Sequence, residues 1–220
     1  PRMTLFDIVG EPLLMNGMPF NNMNNSGGGY NHTLAINTGT VQEMTVTTSG
    51  LMAESRTSGV VSNTVAKDGG NRYTYYFYTD YTNDGLQSDN LSDELIAQGL
   101  NSATHIKRIG EVNPTMGGPI LKDKLWYRLS HLIIDREIPQ PTSAGIAVVQ
   151  DHQEVHADQL TWQVSPRNKL ALQFQADPRE TDNFGVSTAR PAQAALFREQ
   201  KSETYSLIWT APYSPKILIE

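Results

Sequence analysis

Gly117-Gly118-Pro119-Ile120-Leu121-Lys122-Asp123-Lys124-Leu125-Trp126-Tyr127 reads as the end of one strand, a tight polar turn at Lys122-Asp123 and an aromatic start to the next strand. Gly117, Gly118 and Pro119 break any helical reading. Pro119 has no N–H to give to a ladder, so it marks a strand end or an unpaired position. The segments on either side decide what this hairpin belongs to.

Upstream, Tyr73, Tyr75, Phe77 and Tyr81 share one parity, against Arg72, Thr74, Asp80 and Thr82 on the other. Residues 72–82 are about the length of a tilted transmembrane strand. Tyr76 and Tyr78, on the opposite parity, suit an inward contact. Strands are expected at roughly 112–121, 124–137 and 156–165, then, after a turn at Pro166-Arg167-Asn168, around Leu170, Leu172 and Phe174, around Tyr205, Leu207 and Trp209, and beyond the turn Pro212-Tyr213-Ser214-Pro215. Trp126, Leu132 and Ile134 spoil the alternation of the third by standing on its polar face. The connections 83–111, 138–155 and 177–201 are long, with a short helix expected at Asp93–Gln98 closed by Gly99. The intervening turns are short. Alternating long and short connections are a property of outer-membrane barrels, and closure removes exposed sheet edges.

Composition sets limits without choosing. In 220 residues, 38% hydrophobic and 18% charged suit a soluble protein or a barrel with a polar interior. No run nears the roughly 18 apolar residues of a membrane helix. A net charge of −6 without a Lys/Arg cluster argues against nucleic acid. The absence of cysteine excludes disulfides and thiolate metal sites. Before residue 71, Asn16-Gly17 is a strong turn dipeptide, and Val41–Thr48 and Ser58–Lys67 read as strands. The start at Pro1 and the stop within Ile217-Leu218-Ile219 read as cuts in a longer chain.

Four stretches resemble TonB-dependent outer-membrane receptors, in the order plug then barrel. Leu13–Pro19 resembles an early plug motif, with Asn16 where the family usually has Asp. Val41–Ser49 resembles a plug strand that includes Glu43. Ala53–Gly69, with Glu54, Arg56, Gly59 and Lys67, resembles the closing plug segment, and departs from it at Ser58 and Ser62. The hairpin Gly117, Gly118, Pro119, Lys122, Asp123 and Lys124 resembles that of Oar-like receptors, which often carry a carboxypeptidase-regulatory-like domain. The motifs cover most of residues 5–137.

The resemblance implies a mainly β protein. Residues 1–70 would be the C-terminal part of an α+β plug, and residues 71–220 about seven antiparallel strands of a barrel of about twenty-two. It implies a receptor in the outer membrane of a Gram-negative-type bacterium, surrounded by lipid and driven by a TonB–ExbB–ExbD complex. The TonB box lies outside this chain. Neither catalysis nor a cofactor is implied, and the extracellular substrate stays open between siderophore, glycan and peptide. Asn21, Asn22, Asn24, Asn25, Tyr30 and Asn31 would face that ligand from a plug loop. Lys122-Asp123 would be the first periplasmic turn, kept wet by its charges. Glu54 and Arg56 are either a charge pair with the wall or two solvated groups.

Two other readings compete. A non-transporting carbohydrate-binding or adhesin-like β module would use the same aromatics to stack sugars. His152 and His156, near Asp151 and Glu154, have a metal-like spacing on a helix, but 138–155 lacks a helical pattern and is expected to be a solvated loop. His131 has no identifiable partner in the sequence, and Gly27-Gly28-Gly29 lacks the Gly-Lys-Ser/Thr of a phosphate loop.

Overall fold

The computed structural model describes residues 4–5, 8–9, 13–19, 36–48, 61–88, 91–99, 105–214 and 217–219. β1 (Thr4–Leu5) pairs with β2 (Ile8–Val9). β3 (Leu13–Met15), β4 (Met18–Pro19), β5 (Val41–Thr47) and β6 (Val61–Ala66) form a small sheet in the order β4–β3–β6–β5. Asn16 and Gly17 both have positive φ, 50° and 77°. A type I′ turn demands this, so they close the β3–β4 hairpin. β3 runs parallel to β6, whereas β4 and β5 are antiparallel to their neighbours.

β7 (Thr74–Asn83) begins the large sheet. A connection carries α1 (Asp93–Ala97), capped by Ser92 and ended at Gly99 with φ 96°. β8 (Arg108–Leu121), β9 (Leu125–Thr142), β10 (Gly145–Ser165) and β11 (Asn168–Ala176) follow as antiparallel neighbours. β12 (Arg179–Phe184) folds back on β10, and β13 (Leu196–Gln200) pairs with β12. β14 (Glu203–Ser214) pairs with β11, and β15 (Ile217–Ile219) with β14. The sheet is open, in the order β15–β14–β11–β10–β9–β8–β7. Among the described residues no helix is long and apolar enough to cross a membrane.

The register sorts residues by chemistry. One face carries Tyr75, Phe77, Met116, Leu129, Leu160, Trp162, Leu172, Tyr205, Leu207 and Trp209, all well exposed. Tyr75 is 77% exposed. The opposite face carries Asn113, Thr115, Arg128, Ser130, Gln159, Thr161 and Gln175, all buried. This apolar-out, polar-in alternation is that of a membrane barrel wall. A soluble β-sandwich would bury its aromatic face against a second sheet, and among the described residues nothing covers that face.

Two of the expected long connections are strands. Residues 138–155 belong to β9 and β10, 18 and 21 residues long, which pair from Leu125↔Trp162 up to Thr142↔Gly145. Their turn is only Ser143-Ala144. Residues 177–201 hold β12 and β13. β9 and β10 exceed the roughly ten residues needed to cross a bilayer, and β12 and β13 add a further hairpin to that end. Beyond the membrane both faces of a strand meet water, so the period-2 apolar signal is lost. Pro139 and Pro141 are tolerated because β8 pairs with β9 only as far as Glu137, leaving that edge without a ladder to break. Leu132 and Ile134, the residues that spoiled the alternation, are inward and cluster with Val155.

Candidate functional site

The small sheet lies on the buried polar face of the large one, and the contact is made of hydrogen bonds. Asn37, 1% exposed, caps the 3-10 turn Thr38–Thr40 by accepting the Gly39 N–H at 3.0 Å. The same Oδ1 accepts from Asn113 Nδ2 of β8 at 3.0 Å, while Asn37 Nδ2 donates to Ser130 Oγ of β9 at 2.8 Å. Thr115 and Ser130 hydroxyls bond each other alongside. Gly39 is where the turn backbone meets the wall: a Cβ there would stand 2.5 Å from Thr115 Oγ1 and 3.2 Å from the Tyr76 ring.

Arg128 is the centre of the interface. Its guanidinium, on a residue 7% exposed, donates to the carbonyls of Thr40 and Lys67 and to Gln159 Oε1 at 2.8 Å. Buried cations are costly unless hydrogen-bonded; these acceptors engage both terminal nitrogens, Nη1 and Nη2, while the buried Nε is without a partner among the described residues. Gln159 Nε2 reaches Asp68 at 3.3 Å, and Lys169 Nζ of β11 pairs with the other Asp68 oxygen at 2.8 Å. Lys67 Nζ donates to Gly39 O at 3.1 Å and lies over the Tyr76 ring, 5.6 Å from its centroid. Asn16 donates to Gln173 of β11 at 3.2 Å and accepts the Ala66 N–H at 3.0 Å. A cavity of about 150 Å³ lies between Met15, Met18, Arg128, Gln173 and Tyr205.

The hairpin at Lys122-Asp123 does more than stay wet. Asp123 takes φ 63°, and Lys124 N–H closes the turn on Leu121 O at 3.0 Å. Asn71, just before β7, accepts from Asp123 N at 2.9 Å and from Trp126 Nε1 at 2.8 Å, and donates to the Asp123 carboxylate. The first hairpin thus grips the link between the two sheets. Gly118 lies under the Tyr73 ring, where a Cβ would clash.

In the extension, Asp151 is held by Arg136 at 2.8 Å, by Arg179 at 2.7 and 3.0 Å and by Thr181 at 2.9 Å. Burial alone would raise its pKa, but bonds from Arg179, Thr181 and Arg136 together hold it below the usual carboxylate range. His131 does have partners, contrary to the sequence reading: its ring stacks on His156 at 4.2 Å, and its Nε2 lies 3.1 Å from Glu154. His152 and His156 stand on β10, not in a solvated loop.

Of the sequence candidates, Asn16, Gly17 and Lys67 take part in the small sheet and its contacts. Glu43 is exposed on β5, where it accepts from Thr45 at 3.4 Å. Asn21, Asn22, Asn24, Asn25, Tyr30, Asn31, Glu54, Arg56 and Gly59 lie outside the described residues. Sequence reasoning missed Arg128, Asn37, Asn113 and Gln159. The available signal was an Arg flanked by Tyr127 and Leu129 in an apolar strand, a charge with no reason to face lipid.

No protein-family profile matches the chain. The TonB-dependent transporter Oar of Myxococcus xanthus is 31% identical over 185 residues, covering 71% of this chain. The chain spans only 17% of that relative's length. Among solved structures, the siderophore receptor PirA of Acinetobacter baumannii superposes with a TM-score of 0.69 at 16% identity, over 93% of this chain and 30% of that one. The ferric enterobactin receptor PfeA of Pseudomonas aeruginosa gives 0.65 at 16% identity, with 93% and 31% covered. The outer-membrane transporter YddB of Escherichia coli gives 0.61 at 15% identity, with 91% and 28% covered.

Proposed function

The chain belongs to the TonB-dependent receptors of the bacterial outer membrane, and from that premise we propose that it takes part in energised import of an extracellular ligand. Residues 1–70 are the C-terminal part of the plug, and residues 71–220 the first strands of the barrel. The tight turns at Lys122-Asp123 and Pro166-Arg167 face the periplasm, and the β9–β10 and β12–β13 extensions face outward.

The observation that carries this reading is the chemistry of the inner interface. An apolar contact is held by burial, roughly 25 cal/mol per Å², and separates reluctantly. Hydrogen bonds exchange with water at a net cost of about 0.5–1.5 kcal/mol each. Asn37, Arg128, Asp68 and Asn16 therefore hold the plug in place yet allow it to shift once water enters. TonB, with ExbB and ExbD, would supply the pull. The ligand is drawn from siderophores, glycans and peptides, and the siderophore and enterobactin receptors among the structural neighbours give the first class priority for testing.

Growth of a deletion strain on panels of iron chelates, glycans and peptides tests the proposal. One ligand class is expected to support growth only when the receptor and a functional TonB are both present. Ligand uptake that persists without TonB would overturn it.

A further inference from the structure

We propose that His131, Glu154 and His156 form a binding site for a divalent transition-metal ion of the zinc type, on the outer surface of the wall. His131 and His156 are directly opposite each other in the β9–β10 ladder, so both imidazoles rise from the same face. Glu154, two residues from His156, shares that face. Its Oε2 lies 3.1 Å from His131 Nε2 and 3.3 Å from His156 Nε2. Ligands at about 2.0–2.1 Å from a tetrahedral zinc stand about 3.3 Å from one another, so two edges of the tetrahedron are already near their final length. One donor atom from each residue lies within 4.8 Å of the other two. A rotation of one imidazole out of its 25° stack closes the third edge.

Two further features separate this cluster from incidental surface charge. Glu154 is oriented from behind. Its other oxygen lies 3.3 Å from His152 Nε2, and His152 Nδ1 lies 2.7 Å from Asp135 Oδ1. Such a carboxylate–histidine relay fixes ligands at metal sites. The site also borders a lapse in strand pairing: the β9–β10 register passes from His156↔His131 to Gln159↔Arg128, and Asp158 takes the Ser130 N–H at 3.3 Å. A metal bridging the two strands there would staple the wall where the ladder is interrupted, at the outer rim of its apolar belt. Two imidazoles and one carboxylate favour zinc, copper, nickel or cobalt over magnesium and calcium, and leave a position open to water.

The test uses the intact receptor, purified from outer membranes in detergent and stripped with a chelator. It is titrated with Co2+ by visible absorption and with Zn2+ by competition against a chromophoric chelator. Saturable binding with Kd at or below about 10 µM is expected, with one equivalent lost in the His131→Ala/His156→Ala double variant. Glu154→Gln, which keeps the side-chain shape, is expected to weaken that equivalent at least tenfold. Asp135→Asn is expected to weaken it by about tenfold through orientation. Far-UV circular dichroism and heat-modifiable migration confirm that each variant is folded. Unchanged stoichiometry and affinity in the folded double variant, or no saturable binding by the parent receptor, would overturn the site.

Discussion

Arg128→Met tests whether the guanidinium is what fastens the plug to the wall. Met keeps the aliphatic bulk and removes the donors. The Lys67 carbonyl and Gln159 Oε1 lose their bonds from Arg128, while Thr40 O keeps the Lys67 N–H at 2.8 Å and loses only a long contact at 3.5 Å. A hydrogen bond to a charged group is worth about 1.5–3 kcal/mol net of desolvation. Only the bonds to Lys67 and Thr40 cross between plug and wall, so the plug loses about 2–3 kcal/mol of attachment. At about 1.4 kcal/mol per decade this is a 30- to 150-fold rise in local opening. Hydrogen exchange of the intact receptor, followed by mass spectrometry, reads it directly. Amides of β5 and β6 should lose protection by that factor, while those of β10 and β11 keep theirs. Protection of β5 and β6 within threefold of the parent would refute the assignment.

Other substitutions probe separate parts of the account. Gly39→Ala forces a Cβ to within 2.5 Å of Thr115 Oγ1, and overpacking of this kind costs about 1–3 kcal/mol. Exchange of β5 and β6 should accelerate, and adding Thr115→Ala should recover part of the loss in a double-mutant cycle. Leu172→Arg, on the aromatic face, should cost about 2–4 kcal/mol near the bilayer midplane, measured by reversible folding into lipid vesicles, while Leu172→Ala costs less. Asp151 should make the extension acid-sensitive. Its folded pKa lies below the ordinary value of about 3.9, so its stabilisation is present above that value and lost as pH falls through the folded pKa. Exchange of residues 179–184 should rise below about pH 4, and Asp151→Asn should flatten that dependence.

What the sequence made legible was local chemistry. Asn16, Gly17, Asp123 and Gly99 each take the positive φ that their residue types allow, and the aromatic parity of β7 showed the outward face. The β9–β10 extension was hidden because a strand wet on both sides has no alternating apolar signal. Prolines 139 and 141 then looked like breakers, although they lie where the neighbouring strand has ended. Arg128, Asn113 and Gln159 were hidden for a different reason. Their partners come from the plug, at separations of 61 residues for Arg128–Lys67, 76 for Asn113–Asn37 and 91 for Gln159–Asp68. His131 meets Glu154 across 23 residues. Strand register brings His131 to Glu154, and the packing of the small sheet on the wall brings the other pairs together.

The most direct test is the environment of alternate residues in a bilayer. The chain has no cysteine, so single cysteines at Tyr75, Leu172 and Leu207, and separately at Thr74, Ala171 and Ser206, can carry nitroxide labels. Collision rates with oxygen, which partitions into lipid, are compared with those of a water-soluble nickel chelate. The first set should favour oxygen strongly and the second should not, with the preference switching between adjacent residues of each strand. Equal access of the nickel chelate to both sets would contradict a membrane wall with the plug on its inner face.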